Sequence, residues 1–300
     1  MHSAVMRRIL VRTCLTIAFL LVGGTGLATS VVADTGSADV DLVPPPPGAN
    51  NWSCRPSAAH PRPVVLLHGT FENRLQNWAA LSPALADAGY CVFALDYGKS
   101  AGGWLSGIGP MIPSAHEIAD FVDRVLAATG APQVDIVGHS QGGMLPRYYM
   151  KELGGADKVH TLVGLAPNNR GTTWGLIGLP LTAVPPITDA LCPACLEEHA
   201  DSAFIRELNS GPMTLPQVRY TVIRSDYDEF ATPHSTSFLP PGPNVTNILL
   251  QDVCPRDFSE HMLISADPIA IRLTLNALDP ERPVTPVCPA VQVGSAGGWR

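Results

Sequence analysis

The chain is poor in charge and has no strong excess of one sign. Only 15% of its 300 residues are Asp, Glu, Lys or Arg, and the formal net charge is −7. No dense basic cluster lies outside the N-terminus, so the electrostatic footprint of a nucleic-acid-binding protein is missing. No repeat period stands out, which excludes a solenoid or array. The apolar stretch from Cys14 to Val22 is too short for a bilayer span, which needs about 20 residues. With 46% hydrophobic residues the chain is equally far from a disordered composition. Three hundred residues of this kind supply an ample core for one large domain or two small ones.

The N-terminus has the layout of an export signal. Arg7, Arg8 and Arg12 precede the apolar stretch, and Val31-Val32-Ala33 offers a small-residue cleavage site. The expectation is a signal peptide over 1–33, with a retained signal anchor as the alternative. The Arg7-Arg8 pair is a weak pointer to twin-arginine rather than Sec export. Beyond it lie six cysteines: Cys54, Cys91, Cys192, Cys195, Cys254 and Cys288. An even number in an exported chain implies disulfides. Cys192-Pro-Ala-Cys195 has no second ligand pair nearby and reads as a local bridge rather than a metal or redox motif. Residues 34–61 are proline-rich, with Pro44 to Pro47 in one run, and read as an extended segment leading to Cys54.

The organising stretch is Gly138-His139-Ser140-Gln141-Gly142. A buried-strand run, Val134 to Val137, precedes it and a helix-compatible run, Gln141 to Leu153, follows. A G-x-S-x-G in that setting is a nucleophile elbow, a sharp strand-to-helix turn that lifts the serine hydroxyl above the sheet. The glycines are required because strand and helix pack too closely for side chains. Ser140 is therefore the candidate nucleophile. Val64 to Leu67 is a second strand, running into His68-Gly69-Thr70, where the first oxyanion-hole donor of such a site belongs. The backbone N–H groups of Thr70 and Gln141 are the candidate oxyanion donors, with the Thr70 hydroxyl as an additional one.

Strands and helices alternate along the rest of the chain. Helical spacing covers Trp78 to Ala88, and a strand follows at Cys91 to Leu95. Ser114 and Glu117 have capping-box spacing ahead of an amphipathic helix bearing Ile118, Phe121, Val122, Val125 and Leu126. Further strands are expected at 159–165, 218–224 and 245–250, and helices at 203–208 and 262–278. This alternation points to a mostly parallel central sheet with helices on both faces.

A serine hydroxyl needs a base, and the base needs a third group to fix its tautomer. Asp226, Asp228 and Glu229 all follow the 218–224 strand and compete for the acid. His261, beyond the last strand, is the candidate base by chain order, with His234 as its rival. Trp104 and Trp174 lie in apolar loops suited to an acyl chain. The broken apolar segment 172–187 is either a lid or a buried crossover.

Gly-His-Ser-Gln-Gly-Gly-Met-Leu-Pro-Arg-Tyr-Tyr (138–149), Val-Gly-Leu-Ala-Pro-Asn (163–168) and Arg-Gly-Thr-Thr (170–173) resemble the class 2 lipases, actinobacterial secreted triacylglycerol lipases most of all. More loosely the chain is similar to the fungal lipase B type. The resemblance covers most of residues 60–280 and implies an α/β-hydrolase fold. It also implies Asp228 as the acid, since Asp-Glu-Phe-Ala-Thr-Pro resembles the family's acid loop, and disulfides Cys54–Cys91 and Cys254–Cys288. Hydrolysis of lipid and short esters without an organic cofactor follows from it as well, and no metal ligands are expected among the site residues. The expected product is a secreted or envelope-associated monomer with one catalytic domain over 62–290 and a flexible tail over 291–300. Its expected partner is a lipid or ester substrate, neither nucleic acid nor a lasting transmembrane anchor. An acyltransferase, a polyester hydrolase and a non-catalytic binding module are the competing readings.

Overall fold

Six short runs of apolar residues become the strands of one sheet: β1 (Val64–Leu67), β2 (Val92–Leu95), β3 (Val134–His139), β4 (Val159–Leu165), β5 (Arg219–Arg224) and β6 (Val245–Leu249). The computed structural model describes residues 43–99, 105–175, 178 and 183–288. The expected signal peptide, Trp104 and the 291–300 tail fall outside them. All five pairings are parallel, in the order β2-β1-β3-β4-β5-β6. Every residue of β1 is buried, as expected of parallel strands covered on both faces.

Alternation along each strand sorts the core into two layers. Val65, Leu67, Phe93 and Ile136 pack with helix α3 (Met111–Thr129) and with Tyr148 and Tyr149 of α5 (Pro146–Glu152). Val64, Leu66, Ala94, Val137 and Val163 face the other way. They meet Trp78 of α1 (Arg74–Trp78), Leu81 and Leu85 of α2 (Leu81–Asp87), and Ile269 and Leu273 of the Pro268–Leu278 helix.

Several boundaries differ from the sequence expectation for local reasons. Trp78 to Ala88 is two helices, not one, with Ala79 and Ala80 between them. The Ser114/Glu117 capping box does not form, because α3 begins a turn earlier. Ser114 instead donates its hydroxyl to the Pro110 carbonyl, and Glu117 accepts from the Gly98 N–H. The last helix starts at Pro268, capped by Asp267, rather than at Met262. Pro268 suits a first helical turn, where its missing N–H costs nothing.

The proline-rich segment runs along the open edge of the sheet. Asn50 exchanges two side-chain hydrogen bonds with the backbone of Ala94, at 2.9 and 2.7 Å, and donates its own N–H to Val92. Covering the β2 edge in this way removes a free row of backbone donors and acceptors. Two disulfides, Cys54–Cys91 and Cys254–Cys288, tie the segment and the C-terminal stretch to this frame, and a third, Cys192–Cys195, closes a local loop within the crossover after β4.

Candidate active site

Strained backbone collects at the C-terminal ends of the central strands. Phe71 after β1, Ser140 after β3, and Ala166 and Trp174 after β4 all have positive φ without being glycine. Such conformations cost about 1–3 kcal/mol each and persist only where the surroundings enforce them. Ser140 sits at φ 52, ψ −120, between β3 and the short helix α4 (Gln141–Met144). Its N–H donates to the Leu165 carbonyl at 2.9 Å. A Cβ on Gly138 would lie 1.9 Å from the Gly142 carbonyl oxygen, and one on Gly142 would lie 2.1 Å from that of Leu67. Neither position has room for a side chain, so the turn depends on both glycines.

After β5 the chain brings Asp228 to His261. The imidazole Nδ1 lies 2.8 Å from Asp228 Oδ2, with both residues buried. Asp228 Oδ1 accepts the N–H groups of Phe230 (2.9 Å) and Ala231 (2.7 Å). Burial raises the Asp228 pKa, but the bond to His261 and these two amides outweigh it, holding the carboxyl below its ordinary value. Asp226 pairs instead with Arg224 at 2.8 Å. His234 contacts the Asp228 carbonyl oxygen through Nε2. No hydrogen bond to Asp226, His234 or Glu229 involves His261 among the described residues.

A second ion pair braces His261. His139, one residue before Ser140, contacts Glu72 Oε2 through Nδ1 at 2.8 Å and the His261 carbonyl through Nε2 at 2.9 Å. Burial lowers the His139 pKa, yet the charge and hydrogen bond of Glu72 dominate and raise it, while Glu72 is correspondingly lowered. Both nitrogens then donate, and the loop carrying His261 is fixed to the elbow. The rings of His139 and His261 lie 4.9 Å apart. Ser140 Oγ forms no hydrogen bond to His261 among the described residues.

Around the Thr70 and Gln141 side chains the structure reveals a residue that the sequence does not flag. Glu198, fully buried, accepts from Thr70 Oγ1 at 2.5 Å and Gln141 Nε2 at 2.6 Å through Oε1, and from Asn168 Nδ2 at 2.7 Å through Oε2. Its neighbour Glu197 turns the other way and accepts from the Met111 N–H at the start of α3. In sequence the doublet looks like an exposed helix end, and nothing local separates its two members. Trp174 is buried and donates its indole N–H to the Cys195 carbonyl, with its ring 6.5 Å from that of Phe71. Of the 172–187 segment, Leu176, Ile177, Leu179 and Leu181 lie outside the described residues. Pro185–Leu191 is helical, with Ile187 and Leu191 exposed.

Among the described residues, no group of three or more His, Cys, Asp or Glu side chains is arranged to hold a metal ion. No described helix is long and apolar enough to cross a membrane.

Comparison with known proteins identifies the family and the fold. The family described as Lipase (class 2) matches residues 61–273. A triacylglycerol lipase of Pseudarthrobacter phenanthrenivorans is 36% identical over 96 residues, covering 30% of this chain and 28% of that protein. One from Burkholderia plantarii is 35% identical over 96 residues, covering 30% of this chain and 25% of that protein. The chain thus matches only about a quarter of the length of these relatives. In three dimensions Aspergillus fumigatus lipase B superimposes with TM-score 0.63 at 19% identity, over 81% of this chain and 57% of that one. The mature form of Bacillus licheniformis lipase BlEst2 gives 0.55 at 13% identity, over 75% and 94%. At such identities the likeness establishes the α/β-hydrolase fold.

Proposed function

The chain belongs to the class 2 lipase family, and from that premise we propose that it is an exported serine esterase acting on acylglycerols or related lipid esters. The observation that carries this reading is the buried Asp228–His261 hydrogen bond, linked through His139 to the turn that holds Ser140 at φ 52. In the proposed reaction Ser140 Oγ attacks the ester carbonyl while His261 Nε2 takes its proton. Asp228 keeps the imidazole in the tautomer with its proton on Nδ1 and balances the charge that forms. The carbonyl oxygen becomes an oxyanion on the N–H groups of Thr70 and Gln141. His261 returns the proton to the leaving alcohol, and water then releases the acid from the acyl-enzyme by the same route.

Lipid substrates are supported by exposed apolar side chains in the segments between the strands. Phe71, Leu105, Val184, Ile187, Leu191, Tyr227, Phe258 and Leu263 all come after strands in the chain and are all exposed. Large exposed apolar groups fit an acyl-chain entrance or a lipid surface. Each methylene of an acyl chain buried there contributes about 0.8 kcal/mol. Export is supported by the three disulfides, which persist in oxidising compartments, and by the signal-like residues 1–33.

The test is initial rates on p-nitrophenyl esters of increasing acyl length, for the wild type and Ser140→Ala together. The expected outcome is turnover by the wild type and a loss of about 10⁶ in the variant, with the preferred chain length separating lipase from short-ester hydrolase. Equal activity of the two proteins would remove Ser140 as nucleophile and with it the proposed mechanism.

A further inference from the structure

Glu198 combines three properties that a merely structural residue does not need together. It is a carboxyl with no solvent access, it has no cationic partner among the described residues, and it touches both side chains whose backbones are the proposed oxyanion donors. The proton inventory at this point is tight. Thr70 Oγ1 has one hydrogen to give and two lone pairs. It accepts from Gln141 Nε2 at 3.0 Å and lies 2.5 Å from Glu198 Oε1. Gln141 Nε2 has two hydrogens and three acceptors within reach: Thr70 Oγ1, Glu198 Oε1 and the Gly107 carbonyl at 2.8 Å. The carbonyl can only accept, so it fixes the orientation of the amide and claims one hydrogen.

One proton therefore decides the arrangement. If Glu198 is ionised, it can only accept, and the single hydrogen of Thr70 must point at it. If Glu198 is neutral, its own O–H can donate along the same 2.5 Å line to Thr70 Oγ1, which leaves the Thr70 hydrogen free to rotate away. We propose that Glu198 is a positioning residue for the oxyanion site: neutral, it releases the Thr70 hydroxyl to donate to the reacting oxygen; ionised, it holds that hydroxyl back. This rests on the reading of Ser140 as nucleophile. Along the Glu198 side of the switch the proton moves between solvent and carboxyl, and no bond other than O–H is made or broken.

The electrostatic setting puts the switch in a usable range. Burial raises the Glu198 pKa, the hydrogen bonds from Thr70, Gln141 and Asn168 lower it, and the charge of Glu197 raises it again; the balance stands at about 7. Tyr97, two residues past β2, also feels this charge: its own pKa is driven well above the ordinary value by burial first and by the charge of Glu198 second. It therefore stays neutral when Glu198 titrates.

The experiment is the pH dependence of kcat on one soluble short-chain ester for wild type, Glu198→Gln and Thr70→Val, with folding checked by thermal melting. In the wild type kcat should fall on the alkaline side around pH 7 to a lower plateau. The step should be at least about tenfold, since a full oxyanion donor is worth about 10²–10³. Glu198→Gln cannot ionise, so its alkaline step should vanish. Thr70→Val should run flat at the lower level. An unchanged alkaline step in Glu198→Gln overturns the proposal, as does one in Thr70→Val. Infrared titration of the buried carboxyl stretch gives a readout that needs no turnover. Loss of the Thr70 hydrogen bond should move that titration to higher pH in Thr70→Val, and an unmoved titration overturns the proposal even if Glu198→Gln does not fold. If Ser140→Ala retains hydrolysis, the parent reading fails instead. An inactive Ser140→Ala with an unaltered Glu198→Gln profile sinks this inference alone.

Discussion

Two aspartate–histidine pairs stand at opposite ends of the same sheet, and they differ in burial and in the groups that hold them. At the C-terminal ends, Asp228 and His261 are both buried, 2.8 Å apart, and Asp228 is held by two further amides. At the N-terminal ends, Asp135 and His160 lie 3.2 Å apart, with the histidine side chain 28% exposed. There Arg62 takes the other Asp135 oxygen at 3.1 Å, and His160 also contacts the Thr161 hydroxyl. A cavity of about 520 Å³ opens beside this second pair, lined by Arg62, Tyr90, Asp135, His160 and Arg219 among others. The C-terminal end also carries a serine in an enforced turn, Ser140 at φ 52, where the chain leaves a parallel strand at its C-terminal end.

The comparison breaks most sharply under exchange of the two aspartates. Asp228→Asn should lower kcat for ester hydrolysis by about 10⁴, because the amide favours the wrong imidazole tautomer. Asp135→Asn should leave the rate within about twofold, since it meets no proposed reacting atom. Steady-state kinetics on one p-nitrophenyl ester for both variants is the check. A Asp228→Asn enzyme within tenfold of the wild type would mean that the C-terminal pair is no more catalytic than the other.

A smaller effect separates two buried carboxyls at the C-terminal end by the sign of their pH dependence. The Asp228 pKa is depressed by folding, so its contribution to stability is present above the ordinary aspartate value and is lost as pH falls through the folded one. Glu198 is shifted the other way, to about 7. Its neutral form is favoured in the folded state, so its contribution is full below the ordinary glutamate value and is lost as pH rises through 7. That loss is on the order of 3 kcal/mol. Thermal melting of Glu198→Gln against the wild type from pH 4 to 8 should show the variant gaining relative stability as pH rises. A difference that does not change with pH would mean that Glu198 does not titrate in this range.

How much of this was legible depended on whether the cause was local. The elbow was, because the Cβ clashes that demand Gly138 and Gly142 arise within one turn of chain. The strands were equally plain, since burial on both faces leaves near-continuous apolar runs such as 64–67 and 134–137. Asp226, Asp228 and Glu229 were not separable by local residue type, as all three follow β5. What distinguishes them in space is that Asp228 meets His261 while Asp226 is taken by Arg224. Glu198 and the Glu72–His139 pair were invisible for a related reason. Their burial is created by loops more than 50 residues away in sequence, and a glutamate bound for the interior is spelled like any other. The capping box failed because proline at 110 offered an earlier helix start that the Ser-x-x-Glu spacing did not reveal.

The smallest expected effect tests the N-terminal pair directly. His160→Ala removes a partly exposed imidazole whose contacts are Asp135 and Thr161. Asp135 keeps Arg62 and the start of the sheet is otherwise intact, so no buried charge is left alone. Exposed or half-exposed ion pairs of this kind contribute about 0–1 kcal/mol, and the melting temperature should move by no more than a few degrees. Ester hydrolysis should stay within about twofold across acyl lengths. A large loss of activity without a loss of stability would instead make the cavity at the strand N-termini part of the working enzyme. The strained turn at Ser140 would then not suffice to locate the chemistry.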